Sequence, residues 1–516
     1  MTVLSDLDAP SSQPVARQHR QATWVLIASL AVVAAAPFWQ MRWGVIPDTS
    51  WLITLCERML AGDRLYVDLI ETNPPFSVWL YMPAVYVANR IGVAPEHVVH
   101  AYSYGLCVFG LWFAGFIAHR ARFVENPVLY RLVPVFLALL VLFPGNSFSE
   151  RENQGIALLL PLLVLMAWRA GDDRPSEPQW WLAALAGLSG SVMVLVKPYY
   201  AVMILAPALY VAWRRRSIRP LFAIEYWVIG IACVVYLAAV LRLYPEFMRD
   251  IYPALADTYM RYKQYTLVLA SYGGTYLVSI CLFLLLCRGR ALSPLVVVLA
   301  IASFAGFVPL VYQAKGWAYH AYPAVALILA AIVCRLAERS LAPNAARSDM
   351  VQKILLAAVV AVNWLPFQYT QKPEADFVAG IRAVTDHPGV GLIGSGIESG
   401  HPLARMIGGR WISAYCSDWL GGFAAAFAQQ EREAGDMAEA ARLDALERNF
   451  LDAKIRELNT ARPELMIVQK ADVSWVSHVM ARDDFASFMS NYRLLAEDET
   501  VRVYLRNGSG KVASSD

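Results

Sequence analysis

The sequence predicts a polytopic α-helical membrane protein that ends in a small α/β domain, and three observations carry that prediction. The 516 residues are 58% hydrophobic and only 16% charged, with mean hydropathy +0.43, whereas soluble domains carry about a quarter charged residues. From Thr23 to Gln368 the chain is a series of apolar runs of 14 to 22 residues, most of them long enough to cross a bilayer as a helix. From Tyr369 onward those runs stop, and short apolar strands alternate with helical stretches.

The runs are 23–40, 100–118, 128–145, 155–169, 180–196, 200–213, 221–242, 269–287, 292–312, 320–336 and 352–368, which gives about 11 transmembrane helices. The first follows the polar segment Met1–Ala22 with no small-residue cleavage site, and reads as a retained helix. Residues 75–91 are also long enough to span, but are rich in Pro, Trp and Tyr. Charge decides their place. If they lie in the interface, Arg120/Arg122/Arg131, Arg169/Arg174, Arg214–Arg219, Arg288/Arg290 and Arg335/Arg339/Arg347 share one side with Arg17 and Arg20. If they span, the later clusters face away from Arg17 and Arg20. Lys/Arg bias in short loops marks the cytoplasmic side, so the interfacial reading is preferred. The Arg- and Ala-rich composition fits a bacterial inner membrane, with the N-terminus cytoplasmic and the C-terminal domain periplasmic. Residues 1–368 form the transmembrane domain and 369–516 the periplasmic α/β domain.

In that second domain Asp376–Thr385 reads as a helix, Val390–Ile393 as a buried strand and Ser399–Asp418 as mixed turn and strand. Glu431–Leu458 is a charged amphipathic helical stretch, Glu464–Gln469 another buried strand, and Tyr492–Arg506 a hairpin. The Ile393–Gly400 segment, IGSGIESG, lacks the spacing and βαβ frame of a dinucleotide site and reads as a Gly-rich turn. Seven cysteines stand singly without metal-ligand spacing. A net charge of +3 gives no argument for nucleic acid as a partner.

The interfacial reading puts Ile46–Pro75, Ser147–Gln154, Lys197–Tyr200, Leu243–Leu267 and Gln313–Tyr319 on one outer face. Folding of separate helices does not require that convergence, which points to a site at the membrane surface. In the first loop Asp48 follows Pro47 and precedes Trp51, Leu52, Leu55 and Met59 at helical spacing, with Gly62 as a stop. Taken alone, Asp48 reads as a helix N-cap; the acids Asp68 and Glu71 farther along turn the loop into an active-site floor. Ser149-Glu150-Arg151-Glu152-Asn153 has two readings. Its carboxylates share a divalent cation, Mg or Mn, or Arg151 balances them in an interfacial ion network. Lys197, Lys315 and His320 likewise read either as interfacial anchors or as a cradle for a lipid phosphate. Tyr244–Tyr265 reads as an interfacial lid or a lipid-contact loop.

An Asp just after the first transmembrane helix, followed by Gly62-Asp63-Arg64-Leu65-Tyr66-Val67-Asp68 and Glu71-Thr72-Asn73-Pro74-Pro75-Phe76-Ser77-Val78-Trp79-Leu80, resembles the GT-C superfamily of membrane glycosyltransferases. The likeness is to its bacterial branch, which includes protein O-mannosyltransferases and the lipid A aminoarabinose and galacturonic acid transferases. It implies GT-C architecture and an inverting transfer of sugar from a polyprenyl-phosphate carrier to an envelope glycan, lipid or protein acceptor. Under it Asp48 is the catalytic base, Asp68 and Glu71 hold the sugar or orient the loop, and Arg151, Lys197, Lys315 and His320 bind the donor phosphate. The Glu-x-Glu of Glu150 and Glu152 stands where some relatives carry Asp-x-Asp; no cofactor is obligatory. Two other readings remain. A flippase for lipid-linked saccharides needs polar groups at mid-membrane, where the spans offer little beyond Asn363 and Glu225. A saccharide polymerase or ligase relies on large later loops.

Overall fold

The computed structural model describes residues 13–122, 126–172, 177–288, 291–340, 346–368 and 372–510. Arg174 and Arg290 of the charge argument fall outside these residues, as does the boundary at 369–371, and the side chains of Arg17, Arg20 and Arg347 are not described.

Eight helical segments among the described residues are long and apolar enough to cross a membrane: Thr23–Gln40, Pro95–Ala121, Arg151–Ala170, Ile224–Leu243, Tyr265–Cys287, Pro294–Gln313, Ala318–Arg339 and Met350–Phe367. The other three predicted spans become shorter helices, Asn126–Val141, Trp180–Val196 and Val202–Arg214. Residues 75–91 break into Phe76–Trp79 and Met82–Ile91, and neither piece is long enough to span. The central helix Arg151–Ala170 is buried along almost its whole length. Pro95–Ala121 packs closely on it at Gly110, where an added Cβ would collide with the Ala157 carbonyl.

Four helices show how the chain is polarised. Arg151–Ala170 carries Arg151 at one end and, roughly 27 Å away, Arg169 at the other. Trp180–Val196 ends at Lys197, whereas Val202–Arg214 runs to Arg214 at the opposite end. Ala318–Ser340 begins near His320 and closes with Arg335 and Arg339. Arg169, Arg214 and Arg215 meet Glu225, Asp172 and the Gly171 carbonyl at that far end. The acids and lysines of the predicted site gather at the near end.

Two corrections to local structure matter for the site. The second outer loop is shorter than read, because the helix begins at Arg151 and Glu150 is its N-cap residue. The helical spacing of the first loop suggests one apolar face, but the helix Pro47–Leu60 is covered on more than one side. Eight consecutive residues from Thr49 to Cys56 are buried, because the helix is sandwiched between the transmembrane helices and the C-terminal domain. Trp51, Leu52 and Leu55 share one continuous apolar core with Val390, Leu392 and Trp411 of that domain.

The C-terminal domain is built on a five-stranded mixed sheet of β1 (Gly389–Ile393), β2 (Arg410–Trp411), β3 (Leu465–Gln469), β4 (Tyr492–Glu497) and β5 (Val501–Arg506), in the order β2-β1-β3-β5-β4. The first three strands are parallel and β4–β5 is an antiparallel hairpin. Β1 and β3 are buried almost throughout, as expected for central parallel strands. The charged stretch is two helices, Trp419–Ala434 and Met437–Ala461, separated at Gly435. Val473–Met480 and Asp483–Met489 are helices that the sequence reading passed over.

Candidate active site

A cavity of about 1130 Å³ lies between the near end of the transmembrane helices and the C-terminal domain. Asp48 is on its wall, with 29% of its side chain exposed. It occupies the second helical position after Ile46, and the residue at the cap makes no side-chain capping bond. The capping explanation for Asp48 is therefore removed. Its carboxylate lies 3.6 Å from the Arg151 guanidinium and within hydrogen-bonding reach of Tyr319. Burial raises its pKa above the ordinary carboxylate value; the Arg151 charge opposes that, and Glu71 adds to it.

Behind Asp48 is a buried ion cluster. Arg151, 1% exposed, also stands 3.6 Å from Glu150, which accepts a 2.6 Å hydrogen bond from Thr49. Burial pushes the Glu150 pKa to about 8. Lys197 donates to Glu152 at 2.5 Å and lies 3.0 Å from the His320 ring nitrogen; burial lowers its pKa. Glu150 and Glu152 do not face each other. Glu150, on the extended N-cap, is engaged by Thr49 and Arg151, whereas Glu152, in the first helical turn, is engaged by Lys197. Among the described residues no three His, Cys, Asp or Glu groups converge as metal ligands. The donor set does not fit a cation held between these two glutamates.

The remaining expected residues separate. Glu71 is buried and accepts from Trp51 at 2.8 Å and from the Asn73 side chain at 2.6 Å, which fixes the turn at the end of the first loop. Asp68 is on the loop's outer surface, bonded to the Arg64 backbone and guanidinium, and does not line the cavity. Lys315 is committed elsewhere: its ammonium donates to the Tyr259 and Tyr262 carbonyls and sits 4.1 Å above the Tyr259 ring. Burial and the Lys263 charge lower its pKa to about 7. Arg151, Lys197, Lys315 and His320 thus lie behind the wall; Lys372, near Trp43 and Pro366, and Arg432 are cations that line the cavity. Sequence reading missed Lys372 because a lone Lys just past the last span carries no pattern.

The opposite wall also escaped sequence analysis. The Gly-rich turn after β1 places Ser395, Gly396, Ile397 and Glu398 on the cavity, and Glu398 is close enough to Asp48 for their charges to interact. The signal was its position at the carboxyl end of a parallel strand, where ligand crevices form in open sheets. Residues 244–265 dock on this domain through Arg261 to Glu431 and Glu439, and through Asp257 to Arg442. Asn363, by contrast, is tied to Ser279 within the bundle, and Glu225 to Arg169 at the far end; neither lines the cavity.

No protein-family model matches the chain, and no curated protein matches it. Solved structures do. ArnT from Cupriavidus metallidurans bound to undecaprenyl phosphate aligns at TM-score 0.56 and 13% identity, covering 96% of this chain and 99% of that one. The same protein in the apo state aligns at 0.52 and 12%, covering 93% and 97%. The archaeal oligosaccharyltransferase AglB from Archaeoglobus fulgidus, in complex with an inhibitory peptide and a dolichol-phosphate, reaches only 0.43 at 13% identity, covering 92% and 72%, and carries no argument. A near-complete match of both chains at this identity is a likeness of fold: the protein shares the fold of that chain, a multi-pass bundle of apolar helices with a small C-terminal sheet domain.

Proposed function

We propose that this protein is a glycosyltransferase that moves a sugar from a polyprenyl-phosphate carrier to an acceptor hydroxyl at the outer face of the membrane, with inversion. The observation that carries the reading is Asp48: a carboxylate open to a large cavity, fixed from behind by buried Arg151, in a fold shared with a protein solved with undecaprenyl phosphate.

The acceptor oxygen attacks the anomeric carbon while Asp48 takes its proton, and the bond from that carbon to the phosphate oxygen breaks. Its electron pair leaves with the prenyl phosphate. A carboxylate whose pKa is raised by burial is a stronger base near neutral pH than an exposed one. Burial raises the Glu150 pKa to about 8, which favours its protonated form and lessens its competition with Asp48 for the Arg151 charge. Lys372, at the end of the cavity lined by Trp43 and Pro366, is positioned to meet the carrier phosphate. Positive charge there stabilises the leaving group as its charge develops. No step requires a metal ion.

Asp48→Asn keeps the size and hydrogen-bonding reach of the side chain but cannot take the proton. The variant is expected to insert and bind undecaprenyl phosphate normally and to lose transfer by at least a hundredfold. Wild-type turnover by that variant, measured with a radiolabelled prenyl-phosphate sugar, removes Asp48 as the base.

A further inference from the structure

One wall of the cavity is a run of aromatic rings that begins at the proposed base. Tyr319, within reach of Asp48, stacks on Trp317 with centroids 5.8 Å apart, and Trp317 stacks on Tyr259 at 6.0 Å. Tyr259 meets Phe423 of the C-terminal domain edge-on at 6.3 Å, and Phe423 packs on Tyr262 at 5.0 Å. All five line the cavity. Trp317 is 36% exposed, unusual for an indole enclosed between two domains. Its neighbours hold it in place: Lys315 anchors the Tyr259–Tyr262 backbone from behind.

The facing wall presents Glu398. Its carboxylate folds over Gly396, where an added Cβ would strike it, and remains exposed to the cavity. Gln469 at the end of β3 holds that turn through the Gly396 N–H at 3.1 Å. An aromatic platform opposite a carboxylate is suited to a pyranose. The rings cover the apolar C–H face, and the carboxylate, which only accepts hydrogen bonds when ionised, takes them from hydroxyls. Carboxylates outnumber cations on the lining, with Asp48, Glu398, Asp444, Glu447 and Asp472 against Lys372 and Arg432, so away from Lys372 the cavity disfavours acidic groups.

We propose that the Tyr319–Trp317–Tyr259–Phe423 run and Glu398 form an acceptor subsite for a saccharide without acidic groups. This rests on the glycosyltransferase reading and assigns its acceptor a chemical class. The run leads from Asp48 to the C-terminal domain, so an extended glycan along it brings its terminal hydroxyl to the base.

The experiment uses the full chain in nanodiscs, with cellotetraose as neutral probe and tetragalacturonate as acidic probe, both followed by titration calorimetry. Binding of undecaprenyl phosphate is measured in parallel. Cellotetraose is expected to bind at least tenfold more tightly than tetragalacturonate. Trp317→Ala and Phe423→Ala, on separate elements, should each weaken cellotetraose at least tenfold and leave the lipid phosphate unaffected. Glu398→Gln should narrow the preference between the two sugars. Equal affinity for both sugars, or wild-type cellotetraose binding in both aromatic variants, overturns the subsite. Loss of undecaprenyl phosphate binding by the wild type, with sugar selectivity intact, would count against the transferase reading alone.

Discussion

Replacing Arg151 by Met tests the proposed base through its own titration. The guanidinium lies 3.6 Å from Asp48, and at an effective dielectric of about 20 two unit charges at that separation interact by about 4.6 kcal/mol. That is about 3 pKa units. Asp48 keeps 29% of its side chain open to the cavity, and water there screens the pair; halving the effect leaves about one to two units. Arg151 lowers the Asp48 pKa against the larger effect of burial, so its removal raises that pKa further. A base works only when deprotonated, and activity is lost as pH falls through its pKa. The acid limb of kcat/KM should therefore move about one to two pH units upward in Arg151→Met. Arg151→Lys, which keeps the charge, should return most of the shift. An acid limb that stays in place, or moves to lower pH, would sink the assignment of Asp48 as the titrating base.

Glu150 has a pKa raised from 4.5 to about 8 by burial. Between those values the folded protein keeps a proton that the unfolded chain has released, so stability is greatest below 4.5 and declines as pH rises through 8. The melting midpoint of the wild type should fall from pH 5 to 8.5 more steeply than that of Glu150→Gln; parallel curves refute this. Arg405 bridges Glu57 and Glu96, the latter at 2.6 Å. Arg405→Met should cost about 2–4 kcal/mol, seen as a lower melting midpoint and faster proteolysis between the domains; unchanged resistance refutes the clamp. Lys372→Met should weaken undecaprenyl phosphate binding severalfold. Lys315→Met should leave that binding intact and instead speed hydrogen exchange in residues 258–264; the reverse pattern would exchange their roles.

The transmembrane layout was legible because burial in lipid leaves a coarse signature: apolar runs of the right length, with arginines clustered at one end. The place of Asp48 on the cavity was less so: position alone suggested a helix N-cap, and the acids and turn of the rest of the loop singled it out. Lys315 shows where such reading stops. A sequence shows that a cation stands near an interface, and the two carbonyls it bonds are contributed by residues more than fifty positions earlier. Glu398 was hidden by the same distance. It faces Asp48 only because the first-loop helix and β1 share one core, and a contact spanning most of the chain leaves no periodicity. The Glu-x-Glu pair had two readings, and spacing alone could not choose between them. Glu150 pairs with Arg151 and Glu152 with Lys197, which is the ion-network reading.

The burial of the first-loop helix explains why the site has two walls. A helix buried from Thr49 to Cys56 needs apolar contact on both faces, and the transmembrane bundle covers only one. The second face is closed by the sheet domain, with Arg58 bonded to the Ser413 carbonyl, Ile70 to that of Ala414, and Ser50 3.4 Å from His401. Asp48 therefore takes its orientation from the bundle through Arg151, and its helix is held by the sheet domain. The segment 244–265 makes the same choice, with Arg261 and Asp257 bonded across to that domain. A cavity assembled this way is complete only when the domains are docked. Under the proposed function, the C-terminal domain would act on the chemistry by holding the helix of Asp48 as well as by lining the cavity.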